Sequence, residues 1–157
     1  MMNKIKYQLA DRTGEFTIMK FRAIEALDFV IDMLNELPET LNLGEQSTLH
    51  KDTIKYIIFS VMDVGEDIKI SDEQKKFLED VAQIDLISLL FKEAYTNAPS
   101  NTREHFRQQL LELLRMENGD PVTLSFDMLI KTPKAMFSAL SNIVKYNYED
   151  FFLITGV

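Results

Sequence analysis

His50 and His105 are the only histidines in this chain of 157 residues, and it has no cysteine. Thiolate metal sites, disulfides and cysteine nucleophiles are therefore excluded together. His105 has Gln109 four residues on and Glu112 seven residues on, without the two-histidine spacing that holds zinc on one helix face. It reads as a surface or capping residue, and His50, just ahead of a helix, as a loop or cap residue. Asp63, Gly65 and Asp67 begin like a calcium loop. Ile68 then stands where the sharp turn needs glycine, and Gln74 where a bidentate glutamate closes the site. The five glycines are scattered at Gly14, Gly44, Gly65, Gly119 and Gly156, so no phosphate-cradling loop forms. No catalytic residue, metal ligand or cofactor site is assigned. The expectation is a protein that holds other proteins rather than an enzyme.

Charge narrows the partners. The formal net charge is -8, whereas nucleic-acid binding draws its affinity from lysine and arginine neutralising phosphates. The same balance disfavours an anionic membrane surface. No apolar signal-peptide core follows Met1-Met2-Asn3-Lys4, and the longest apolar runs are too short to span a bilayer. The expected location is cytoplasmic, with neither nucleic acid nor membrane as partner.

The elements that would carry a binding surface follow from periodicity. Ile5, Tyr7 and Leu9 alternate with Lys4, Lys6 and Gln8; Asp11-Arg12-Thr13-Gly14 supplies turn chemistry; Phe16, Ile18 and Lys20 continue a second strand. Two strands are marginal in water, so this hairpin lies on a helix or pairs with another chain, self-association included. From Arg22 to Leu37 the pattern becomes helical, with a narrow polar stripe of Glu25, Asp28, Asp32 and Asn35 or Glu36. A helix so apolar is central to a core or covered by a partner. Pro38 ends it, and the stretch to His50 reads as a loop.

A second helix is expected from Lys51 to Val64 through Ile54, Ile57, Ile58, Val61 and Met62. Ser71 with Gln74 forms a capping box for a third, bending near Asp85 and continuing through Ile87, Leu90, Phe91 and Ala94 to Pro99. Asn101 with Glu104 is read as the cap of a fourth, through Phe106, Leu110, Leu113 and Leu114. Asn118-Gly119-Asp120-Pro121 breaks the chain, Val122 to Phe126 is extended or irregular, and Thr132-Pro133 starts the last helix. The fold class is mainly α: about five to six helices with an N-terminal β-hairpin. The reading is one domain over 1–157, with the hairpin in 1–21, a helical core in 22–147 and an apolar tail in 148–157.

Two stretches are apolar enough to serve as partner-binding surface. One is the first helix, with Phe29 and Met33. The other is the chain end, with Tyr146, Tyr148, Phe151, Phe152, Leu153 and Ile154. Phenylalanines and methionines are more often core filler, and the tail reads first as packed onto its own domain and otherwise as waiting for a partner.

The order of elements resembles a known family. The hairpin of Lys4 to Phe21 passes directly into Ala23-Ile24-Glu25-Ala26-Leu27 and on to Leu34 and Leu37. The chain closes on Asn147-Tyr148-Glu149-Asp150-Phe151-Phe152. This is similar to the small tail assembly chaperones of long-tailed bacteriophages, with their hairpin, A-x-x-x-L helix and closing N-(aromatic)-x-x-F-F element. The stretch from Pro38 to Ser71 carries no family mark. The resemblance implies a chaperone that binds the tape-measure protein, helps recruit tail-tube subunits and leaves before the virion is complete, acting in the cytoplasm of the infected host. The alternative is a structural tail or baseplate protein retained in the virion.

Overall fold

In a computed structural model of the protein, residues 4–8, 13–42, 48–61, 72, 86–119 and 132–148 are described. Alternation at the N-terminus produces two antiparallel strands, β1 (Lys4–Gln8) and β2 (Thr13–Ile18). Ile5 stands opposite Phe16, and Phe16 and Ile18 turn inward with essentially no exposure. Lys4 and Lys6 stay exposed. Thr13 and Gly14, expected in the turn, already pair with Gln8 and Tyr7 inside the ladder. The strand also ends sooner, leaving Lys20 on the connection to the first helix.

The hairpin gains its support from its own chain. A two-residue strand, β5 (Leu114–Arg115), pairs with β2 through Leu114 opposite Ile18, and the Met19 N–H donates to the Leu113 carbonyl at 2.7 Å. The third strand and the buried face supply the support that a two-stranded hairpin lacks in water. Leu114, expected to continue the fourth helix, lies in this strand instead, and so short a strand has no alternation to reveal it.

Five helices are present among the described residues, and the fold is mainly α with an N-terminal hairpin. The first, α1 (Ala23–Asn35), buries Ala26, Phe29, Val30, Met33 and Leu34, the i, i+3, i+4, i+7, i+8 set of one face. Its end tightens into i→i−3 bonds from Glu36 to Met33 and Leu37 to Leu34. Ile24, exposed in its first turn, stands in line with the carboxylate stripe of its solvent face.

The stretch to His50, expected as a loop, contains a second small hairpin of β3 (Thr40–Asn42) and β4 (Thr48–His50). Three-residue strands are too short for a visible period of two. The buried Leu41 and the Thr48 hydroxyl donating to Asn42 Oδ1 at 2.9 Å hold them. Helix α2 (Lys51–Val61) buries Ile54 and Ile58. His50 caps its start, where the imidazole Nδ1 accepts the Asp52 N–H at 3.1 Å. The last turn expected for α2, at Met62 to Val64, lies outside the described residues. So do the calcium-like loop, Val122 to Phe126, and the expected third helix from Ser71 to Ile84 apart from Asp72.

Helix α3 (Leu86–Asn97) buries Leu86, Ile87, Leu90, Phe91 and Ala94, and its Asn97 amide donates to the Glu36 carbonyl at 2.9 Å. Helix α4 (Ser100–Leu111) starts earlier than the proposed Asn101 cap. Pro99 takes the N-cap position in an extended conformation with no side-chain cap, so proline rather than Asn101 sets the boundary. Gly119, at φ +89°, closes the turn after β5 with its N–H on the Met116 carbonyl; an L side chain would be strained there.

Helix α5 (Pro133–Tyr148) begins as expected, with Thr132 Oγ1 accepting the Ala135 N–H at 3.1 Å. Thr132→Ala should therefore lower unfolding free energy by about 1 kcal/mol in a urea titration. No change would mean the cap is dispensable. Among the described residues no helix is long and apolar enough to cross a membrane.

The chain divides into two compact units: Met1–Phe29 with Pro99–Asn147, and Val30–Ala98 with Tyr148–Val157. Each joins two stretches distant in sequence, and two of the crossings fall inside helices. No linker or composition shift could mark such a division, which is why the sequence reads as one domain.

Candidate docking surface at the hairpin to helix junction

Residues 19–22 connect β2 to α1, and they are tied to the last turn of α5 within one unit. Asn147 makes the tie. Its Oδ1 accepts the Phe21 N–H at 2.7 Å, while its Nδ2 donates to the Ile143 carbonyl at 3.0 Å and the Met19 carbonyl at 3.3 Å. With one N–H and two carbonyls around it, the amide has a single orientation that satisfies all three. Asn147 is the one buried polar residue among those described, at 8% exposure, and it meets the requirement that buried polar groups be paired.

Lys20 closes the same junction from outside. Its ammonium stands 3.9 Å from the centroid of the Tyr146 ring and also donates to the Tyr146 carbonyl. Cation–π attraction and the negative end of the α5 dipole therefore act on one charge. Beneath, the Phe21 ring tilts against Phe29 at 5.4 Å between centroids, and Phe29 against Phe106 at 5.4 Å. Arg22 Nε donates to Glu25 Oε1 at 2.7 Å on the surface. That hydrogen bond holds the Glu25 carboxyl below and the Arg22 guanidinium above their ordinary pKa values. So exposed a pair contributes little to stability.

Two apolar side chains at this junction face water: Met19, on the connection, is 47% exposed and Ile24, in the first turn of α1, 66%. Neither offers a proton or a lone pair fit for catalysis. What they offer is dehydration, worth roughly 1.5–3 kcal/mol for each side chain a partner covers fully. The backbone at Met19 is held by Asn147 and that at Ile24 by α1, so a partner need not order either on binding.

Compared with protein-family models, curated proteins and solved structures, the chain matches none.

The residues singled out from sequence fall into three groups. Phe29, Met33 and Tyr148 are buried, at 0%, 0% and 1% exposure. The folded chain does not present them to a partner: the first two lie on the inward face of α1, and Tyr148 extends the inward face of α5. Tyr146 is half-buried and holds Lys20. Phe151, Phe152, Leu153 and Ile154 lie outside the described residues. His105 is exposed on α4, and among the described residues no three His, Asp or Glu side chains cluster as a metal site would require.

Met19 and Ile24 were not singled out, although both signals were present. Alternation from Phe16 and Ile18 places Met19 outward. Ile24 precedes Asp28 by four residues and Asp32 by eight, on the same polar stripe.

Burial pushes the Tyr148 phenol far above its ordinary value near 10. A raised folded-state pKa makes the stability difference fully present below the unfolded value and lost as pH rises through the folded one. Unfolding free energy should therefore fall above pH ~10, where the unfolded tyrosine ionises. Tyr148→Phe should fall less steeply; parallel pH profiles would contradict this.

Proposed function

We propose that this chain is a non-enzymatic phage tail assembly chaperone. It binds the tape-measure protein, helps recruit tail-tube subunits and acts in the cytoplasm of the infected host. The resemblance in the hairpin, the Ala23–Leu27 helix start and the Asn147-Tyr148 element suggests the family. The observation that carries the binding role is Ile24, two-thirds exposed on a helix whose opposite face is fully buried. It stands at the junction that both halves of the resemblance meet.

An amphipathic helix laid over Met19 and Ile24 would cover apolar surface on both molecules, as helix-in-groove recognition does. Co-expression with the tape-measure protein is the test. The soluble fraction of that protein should rise several-fold, and an unchanged fraction would sink the reading.

A second reading, a structural tail or baseplate protein retained in the particle, is favoured by β1. Among the described residues its only strand neighbour is β2, which leaves an outer edge that strand addition can use. Proteomics of purified particles separates the two: absence from the finished virion supports the chaperone, stoichiometric presence the structural protein.

A further inference from the structure

We draw no further inference here: the strongest candidate, the outer edge of β1 with Lys4 and Lys6 exposed along it, restates the second reading above, and nothing in the structure shows what covers it.

Discussion

Phe29→Ala is expected to lower unfolding free energy by about 3–5 kcal/mol, the range for emptying a buried aromatic site. The ring has no exposed surface and meets both Phe21 and Phe106 at 5.4 Å. Aromatic pairs of this kind add roughly 0.5–1.5 kcal/mol beyond the area they bury. Phe29→Leu should cost less, because it keeps most of the volume. Denaturant titration of both variants gives the ordering, with Ile24→Ala as the exposed control, expected within about 0.5 kcal/mol of the parent. The experiment also separates two roles for Phe29. A core residue unfolds the chain when truncated, whereas an interface residue leaves stability alone and weakens a partner. A loss below about 1.5 kcal/mol would remove Phe29 from the core, since small losses of that size belong to conservative or surface changes.

Asn147→Asp should produce the second large effect, and a pH-dependent one. The substitution keeps an acceptor for the Phe21 N–H but sets a carboxylate oxygen against the Met19 and Ile143 carbonyls, where an amide donated before. One favourable contact then opposes two repulsive ones in a buried place. The cost of leaving such groups unpaired is about 1–3 kcal/mol, and more for a charge.

Both burial and the two carbonyls disfavour ionisation, so the new carboxyl's folded-state pKa rises above its unfolded value near 3.9. Linkage sets the sign. The folded variant binds its proton more tightly than the unfolded one, so its stability is greatest below the unfolded pKa and is lost as pH rises through the folded one. In the protonated form one oxygen can still donate to a carbonyl. The deficit relative to the parent should thus be small at pH ~4 and grow towards pH ~8, whereas Asn147→Ala should show a deficit nearly constant over that range. Subtracting the parent's own profile removes the other carboxylates. Equal profiles for the two variants would mean that the amide donors of Asn147 do not hold the junction.

The parts of this fold legible in sequence are those set by long local periods. Helix α1 follows from the apolar run between Arg22 and Leu37 with its narrow polar stripe, the first turn of α5 from Thr132 and Pro133, and the N-terminal hairpin from strict alternation. The parts missed depend on partners distant along the chain. Arg115 lies opposite Thr17 in a strand of two residues, and nothing local distinguishes it from a helix end. Asn147 enters the sequence reading only as the first residue of the closing N-(aromatic)-x-x-F-F element, with nothing local to show what it bonds. Its importance comes from Phe21 and Met19, which lie more than a hundred residues away.

The candidate surface shows the converse error. Apolar size drew attention to Phe29 and Met33, yet size says little about which face a residue occupies. The face is fixed by phase, and Ile24 shares its phase with Asp28 and Asp32. Large hydrophobic residues in a helix start are more informative when they break the polar stripe than when they extend the apolar one.

The central claim is that the junction of hairpin and first helix is where a protein partner is held. It is tested most directly by retention of the tape-measure protein on the immobilised full chain, compared between the parent and a Met19→Ser/Ile24→Ser variant. Both side chains are substantially exposed, so the variant should melt within a few degrees of the parent. Retention should fall about tenfold or more, the equivalent of losing the dehydration of one to two apolar side chains. Equal retention by a variant that melts with the parent would contradict the claim.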